Sequence, residues 1–531
     1  MATAAFPAGS TLGATVEDPY RNRYWIAAAV TLAAVLELVD TSIVNVAVPH
    51  MMGNLGATLD EIAWVSTGYI IANVIVIPMS SWLSNWFGRR NYLTGSILLF
   101  VAASFFCGAA TGLWSLVFWR VVQGLGGGAL LSVAQATLFE AFPPNEIGKG
   151  QAIFGMGVMV GPTLGPTLGG YIVDNYDWPW IFYINVPLGL LAAAMVWNYV
   201  RDSKNAVRAT KIDLLGIVLL AVSIGTLQFM LERGERNDWF ESGLVVSLAA
   251  ISALSMAGFI WRELTFEQPI VNLRVLKSRQ LSVGVIFAAA LGLAMYGSIF
   301  VLPVFLQTLH GFTAWQTGKV IFPGAIASAF TMAIIGRNAN KLDARYTIVV
   351  GVAMFGACMW WLSKLSLDAG ADDVFWPLIL RGVGMGLIFV PLTNASMADL
   401  SAKDVPQGTA LFNLTRQLGG SLGIAIMATL LSRFTSSSRA TLGAHMTAGD
   451  PDVTQRIALL SRAFIARGSD ATTAASQAYQ VLERQVLAQA SVISFSKIYI
   501  LSACVMVLGL PLLLFWRTGR NRAGLSAADL H

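Results

Sequence analysis

Charge is what this sequence has least of. Only 12% of its 531 residues are Asp, Glu, Lys or Arg, about half the share in an average soluble chain. So few charges cannot cover the surface of a soluble protein this size. Hydrophobic residues make up 56%, and the mean hydropathy is +0.65. Cysteine and histidine are scarce as well. Cys107, Cys358 and Cys504 lie singly in separate apolar runs, and His50, His310, His445 and His531 are equally scattered, which argues against a disulfide framework or a zinc site. No G-x-x-x-x-G-K-[ST] phosphate loop occurs, so ATP hydrolysis by that route is excluded. No Ser/His/Asp set presents itself either, and an enzyme is not expected. The first twenty residues lack the basic start and cleavable apolar stretch of a leader; Arg21 and Arg23 lead straight into a long apolar run.

What is present is a succession of apolar runs of roughly 20 residues, each long enough to cross a hydrocarbon core of about 30 Å as a helix. Fourteen occur, at 24–48, 62–83, 92–111, 114–138, 150–173, 181–200, 213–231, 243–262, 281–306, 316–336, 346–365, 375–398, 407–432 and 497–516. The pattern predicts an all-α polytopic membrane protein. An even number of spans puts both termini on one side. With that side cytoplasmic, the inside segments hold twenty Lys and Arg, among them Arg21, Arg23, Arg89, Arg90, Lys204, Arg208, Arg517, Arg520 and Arg522; the short outside loops hold four, Arg233, Arg236, Lys319 and Lys364. The positive-inside rule therefore predicts cytoplasmic termini, and the net charge of +5 is no sign of nucleic-acid binding. One long outside segment remains, 433–496, polar and with two helical patches at 455–466 and 472–488. It reads as a solvated connector or as a docking surface for a periplasmic partner.

The fourth run contains Arg120 followed by Gln123, Gly124, Gly126, Gly127 and Gly128, and the twelfth contains Arg381 followed by Gly382, Gly384 and Gly386. Superposing them divides the chain into a tail at 1–23, a six-helix bundle at 24–200, two inserted helices with linkers at 201–280, a second six-helix bundle at 281–516 and a tail at 517–531. Repeated halves of this kind mark transporters.

Charges inside spans cost roughly 2.5–3.5 kcal/mol on insertion scales, so those that occur have a task. Glu37, Asp40, Arg120, Arg381 and Arg416 stand out. Glu37 and Asp40, three apart, are neighbours on a helix face and should titrate as a coupled pair. A carboxyl that loads a proton on one side and releases it on the other is what a proton-driven carrier needs. The alternative is a structural pair with an arginine such as Arg120. About 2.3 kcal/mol per charge per 100 mV supports roughly a 50-fold substrate gradient for each proton. The arginines cannot give up their charge and suit gating or ion pairing. On the fifth run, Gly157, Gly161, Gly165 and Gly169 recur every four residues beside Pro162 and Pro166. That small-residue spacing allows close helix approach and predicts a bendable helix at the rocking interface between the bundles.

These motifs resemble the major facilitator superfamily, in its fourteen-spanner drug:proton antiporter branch. Leu38-Val39-Asp40-Thr41-Ser42-Ile43-Val44-Asn45-Val46-Ala47-Val48-Pro49 resembles the first-helix signature, with Thr41, Asn45 and Pro49 at motif positions. Arg120 with Gln123 and Gly124 is similar to the fourth-helix motif, whose arginine is implicated in proton coupling. Gly161-Pro162 through Gly165-Pro166 to Gly169-Gly170 is similar to the fifth-helix motif of exporters. Trp178 to Gly189 resembles the sixth-helix signature, with Pro179 in place of an Arg. The resemblance implies a major facilitator fold with two extra helices, exporting hydrophobic or cationic small molecules against proton entry, without a cofactor. It further implies a bacterial inner membrane, with a periplasmic adaptor (a membrane fusion protein) and an outer-membrane channel as partners. The loop latch departs from the pattern: Ser81, Asn85 and Trp86 stand where Gly, Asp and Arg are usual, while Gly88, Arg89 and Arg90 remain. Glu37 is an additional carboxylate. The alternatives are a dedicated exporter of an endogenous metabolite, such as a siderophore or fatty acid, and a non-transporting receptor or scaffold.

Overall fold

The computed structural model describes residues 20–202, 211–339, 341–446 and 450–516. The expected tails up to residue 19 and from 517 on, with Lys204, Arg208, Arg517, Arg520 and Arg522, lie outside the described residues. The chain is helical throughout what is described: α1 (Arg23–Leu55), α2 (Leu59–Phe87), α3 (Arg89–Gly108), α4 (Leu113–Ala141), α5 (Ile147–Asn175), α6 (Trp180–Tyr183), α7 (Asn185–Tyr199), α8 (Leu214–Arg233), α9 (Gly243–Thr265), α10 (Arg279–Leu309), α11 (Ala314–Asn338), α12 (Ala344–Leu362), α13 (Ala371–Met397), α14 (Val405–Ala444), α15 (Pro451–Ile465) and α16 (Ala471–Gly509). Among the described residues, fourteen stretches are long and apolar enough to cross a membrane, with α6 and α7 together making one.

The repeat is visible in how the helices start and stop. Gly56 closes α1 at φ +61°, and Gly311 follows α10 at φ +67°, a left-handed position that glycine takes without a Cβ penalty. Two residues later, Thr58 and Thr313 each open the next helix with a reciprocal capping box, to Glu61 and Gln316. Each box satisfies two otherwise orphaned amides at a helix start. The same Gly-x-Thr-x-x-Glu/Gln turn therefore joins α1 to α2 and α10 to α11.

Packing repeats too. Glycines on α4 bring it against α2 and α3: a Cβ on Gly124 would stand 2.4 Å from the Tyr69 carbonyl oxygen, and one on Gly126 2.8 Å from the Phe100 amide. On α13, a Cβ on Gly382 would stand 2.0 Å from the Gly324 oxygen of α11, and one on Gly384 2.8 Å from the Gly351 oxygen of α12. Such backbone approach replaces the hydrophobic drive that lipid does not supply. The bundles meet along α5 and α11, with α2 and α4 also touching α14.

The fifth-helix stripe has a different role from the one its spacing suggests. Cβ atoms on Gly157, Gly161, Gly165 and Gly169 would run into Thr31, Leu38, Ser42 and Ile43. All four belong to α1, so the stripe packs inside its own bundle rather than at the interface between bundles. The face of α5 turned to the other bundle carries Gly148, Gly155, Thr167 and Gly170, against Gly336, Met332, Gly318 and Trp315 of α11.

The inserted helices α8 and α9 pack on each other, and α8 on α2. Their connecting turn reaches both bundles. Arg236 binds Asp60 beside the start of α2 at 2.7 Å, and the Trp239 indole N–H donates to Thr429 of α14 at 2.9 Å. Asp238 and Trp239 hold φ of +51° and +53°, a conformation rare outside glycine and sustained here by these contacts. On the face where α1 begins, Glu146 joins Arg23 at 3.1 Å and Lys149 at 2.7 Å. The Lys149 hydrogen bond, with both cations, holds the Glu146 carboxyl below the usual carboxylate range. The tie is therefore present above that range and is lost as acid protonates the carboxyl.

The segment 433–496 is helical to a greater extent than expected. Helix α14 runs unbroken to Ala444, α16 starts at Ala471 and continues into the last span, and α15 lies between.

Replacing Gly165 by Ala should lower the thermal unfolding midpoint of purified protein, because overpacking a close contact costs about 1–3 kcal/mol. Gly95→Ala, where the added methyl meets nothing within 4 Å, should leave the midpoint unchanged; equal effects would contradict the packing described.

Candidate functional site

Midway along α1, Asp40 is fully buried and its charge is answered from two helices, α4 and α7. The Arg120 guanidinium of α4 pairs with Oδ2 at 2.6 Å. Oδ1 accepts from Gln123 Nε2 at 2.9 Å and from Asn185 Nδ2 of α7 at 2.8 Å. Each donor is itself held. Arg120 Nε donates to the Val65 carbonyl at 3.0 Å and Nη1 to Gln123 Oε1 at 2.7 Å, and its guanidinium lies 4.1 Å from the Tyr69 ring centroid. Ser104 of α3 accepts from Gln123 and Asn185 and donates to the Phe182 carbonyl. A buried ion pair survives desolvation only when the geometry is good and the remaining lone pairs are satisfied. Asp40 meets both conditions.

Glu37 lies three residues earlier but serves a different neighbourhood. Its Oε1 accepts from Asn73 Nδ2 of α2 at 2.9 Å, while Oε2 has no hydrogen-bond partner among the described residues. Across the seam stands Arg416 of α14, whose charge acts on Glu37. Arg416 is fully buried, and only Nη2 is engaged, with Asn413 Oδ1 at 3.1 Å; Nε and Nη1 are unpartnered. Asn413 in turn donates to Gln135 Oε1 of α4 at 2.6 Å, a side-chain hydrogen bond between the bundles. The two carboxylates thus have separate hydrogen-bond partners, Asp40 on α4 and α7 and Glu37 on α2, while the Asp40 charge still acts on Glu37.

Arg381 occupies on α13 the place of Arg120 on α4, with Cys358 and Tyr499 beside it as Cys107 lies beside Gln123. Among the described residues no carboxylate pairs with it, and its Nη1 is buried without a partner. In the loop motif between α2 and α3, Arg89 binds Glu140 at 2.7 Å and the Arg90 amide binds Asp202 Oδ1 at 3.0 Å. Gly88, at φ +84°, sits against that same Asp202 carboxylate. Asn85 makes none of these bonds, so the acidic members of this cluster come from α4 and from beyond α7. Thr41 donates to the Glu37 carbonyl at 2.9 Å. Asn45 lines a cavity of about 230 Å³ with Ser66, Thr67, Glu232, Arg233 and Arg236. Pro49 lies inside α1 past this point, and Pro162 and Pro166 lie inside α5 beside its glycines. Neither Gly170 nor the α1-facing glycines touch the Asp40 cluster.

Reading the sequence for charge alone passed over Tyr69, Asn73, Ser104, Gln135 and Asn185. A signal for three of them existed: Asn73, Gln135 and Asn185 are amides within apolar runs, where an unsatisfied amide is costly.

The sequence profile of the Major Facilitator Superfamily matches residues 30–424. The fatty acid resistance protein FarB of Neisseria gonorrhoeae is 32% identical over 92% of this chain and 95% of its own length. The multidrug export protein EmrB of Escherichia coli K12 is 33% identical, over 92% and 94%. Among solved structures, a double-tryptophan mutant of XylE superposes with a TM-score of 0.60 at 13% identity, over 94% of this chain and 97% of its own, a likeness of fold.

Removing Arg120 strands the Asp40 carboxylate. Arg120→Leu should destabilise the purified protein by about 3–5 kcal/mol, and adding Asp40→Asn should recover part of that loss. A double variant no more stable than Arg120→Leu would show that the pair does not bear the load.

Proposed function

The chain belongs to the Major Facilitator Superfamily, and on that premise we propose that it is a proton-coupled exporter of hydrophobic or cationic small molecules, working by alternating access. The observation that carries the reading is the buried Asp40–Arg120 pair with its amide partners. A proton arriving on Asp40 removes the charge that holds Arg120, Gln123 and Asn185 together. Three helices of one bundle are then released from one another at mid-depth. Return of the proton to the opposite side restores the pair. Glu37 is the second proton-accepting group in this reading, and Arg416 faces it from the moving bundle. Arg381 belongs to the gating of the second bundle.

The names of the relatives, a multidrug export protein and a fatty acid resistance protein, support a range of amphipathic cargo. The second also supports a narrower reading, a dedicated exporter of fatty-acid-like metabolites. Orientation with both ends in the cytoplasm of a bacterial inner membrane follows from the excess of Lys and Arg on one face. The glycines and prolines of α5 act as its hinge, flexing against α1 while the other face of α5 slides on α11. The loop cluster of Arg89, Arg90, Glu140 and Asp202 is the cytoplasmic latch. A periplasmic adaptor and an outer-membrane channel complete the pathway. The helical extensions of α14 and α16 support this, with a groove of about 540 Å³ between them lined by Arg439, Ala440, Tyr479, Leu482, Glu483 and Val486.

The test uses purified protein in inside-acidic liposomes with the membrane potential clamped at zero. Tetraphenylphosphonium uptake should follow the pH gradient in wild type and fall to the protein-free rate in Asp40→Asn. Equal uptake by both would remove Asp40 from coupling. No gradient-driven uptake by wild type would overturn the export of lipophilic cations.

A further inference from the structure

Two charged groups at mid-depth are desolvated, and each is satisfied along one edge only. Glu37 is 7% exposed and Arg416 0%. Asn73 holds Glu37 by Oε1 and leaves Oε2 unpartnered; Asn413 holds Arg416 by Nη2 and leaves Nε and Nη1 unpartnered. Buried polar groups almost always find partners, and charged ones left without them are the most costly. These two could answer each other, since α2, which holds Glu37 through Asn73, packs on α14, and the Arg416 charge reaches Glu37. The amides that orient them keep the open edges apart instead. Asn413 is itself fixed by Gln135 on the opposite bundle and by the Thr409 carbonyl, so Arg416 is not free to swing to Glu37 at no cost.

Beside them is an apolar wall. The Phe389 ring lies 5.6 Å from the Arg416 guanidinium, and Phe389 and Met332 both pack against Gly155 across the α5 seam. Ligand pockets are typically apolar with a few placed polar groups. An acceptor edge from one bundle, and a donor edge with an aromatic ring beside it from the other, make such a set.

We propose that Glu37 and Arg416 form a two-headed substrate anchor for amphoteric amphiphiles, compounds that carry a cationic and an anionic group on one apolar frame. The cation meets Glu37 Oε2, the anion meets Arg416 Nε and Nη1, and the ring lies on Phe389. Charge bookkeeping favours this class. With Glu37 ionised the anchor is net neutral, so a net-neutral ligand with both signs satisfies both edges and adds no charge to a low-dielectric site. A simple cation leaves Arg416 unanswered. Because the two heads sit on different bundles, a bound zwitterion also bridges the seam that must open and close.

The inference rests on the export reading, and equilibrium binding separates the two. The probes are tetramethylrhodamine, a zwitterion, and its methyl ester, a cation that differs only by the blocked carboxylate. Binding to detergent-purified, full-length protein is followed by fluorescence anisotropy. Wild type should hold the zwitterion about tenfold more tightly than the ester, the value of one charge-assisted contact. Arg416→Gln should weaken the zwitterion by about that factor and leave the ester unchanged; Arg416→Lys should restore part of the preference. Glu37→Gln should weaken both. Unfolding midpoints near that of wild type certify each variant as folded. Equal wild-type affinities for the two dyes, binding of neither, or a parallel loss of both in Arg416→Gln would overturn the anchor. Gradient-driven tetraphenylphosphonium uptake without dye preference would sink the anchor and spare the export reading. Dye preference without uptake would do the reverse.

Discussion

A charge in the hydrocarbon interior has no water to answer it, so the protein must, and the arrangement of this molecule follows from that constraint. The Asp40–Arg120 pair meets it in full. Three side chains on α4 and α7 meet around the one carboxylate of α1, with Ser104 of α3 bracing the two amides. The glycines of α4 that bring it against α2 and α3 also set the depth at which Arg120 can reach Asp40. Packing and electrostatics are here one solution: the helices must come close because the charge must be covered.

The two bundles share a plan but differ in how they treat their charges. Arg120 and Arg381 occupy corresponding helices, each beside a buried cysteine-bearing helix, and the Gly-x-Thr turns that start α2 and α11 are built alike. Among the described residues, a carboxylate answers the first of these arginines alone. Arg120 is locked, whereas Arg381 and Arg416 in the second bundle keep nitrogens without hydrogen-bond partners. The first bundle holds the complete ion pair and the second presents open donors, an asymmetry that gives the halves separate tasks in a transport cycle.

The inserted helices also acquire a structural role from their contacts. Through Asp60 and Thr429, the turn between α8 and α9 grips both bundles on the face opposite the Arg89–Glu140 cluster. Relative motion of the bundles on that face must strain or release one grip. The left-handed backbone at Asp238 and Trp239 shows that the turn is held in place by its anchors rather than by local preference.

Much of the fold was legible in the sequence because the bilayer imposes a simple rule: runs of about 20 apolar residues must be spans. Their number, the repeat of Arg120 in Arg381 and the conspicuous charges needed no coordinates. The fifth-helix spacing revealed that a close helix approach exists, since only small residues allow it. It did not reveal with which helix, because a stripe of glycines does not encode its partner; α1 was decided by tertiary packing. Likewise, the three-residue interval placed Glu37 and Asp40 on one face, yet a helix face is wide enough to meet two neighbours. The packing of α1 against α2, α4 and α7 then assigned Asp40 to a closed pair with α4 and α7 and Glu37 to Asn73 of α2. Composition determined which groups needed partners, and three-dimensional proximity determined who the partners are.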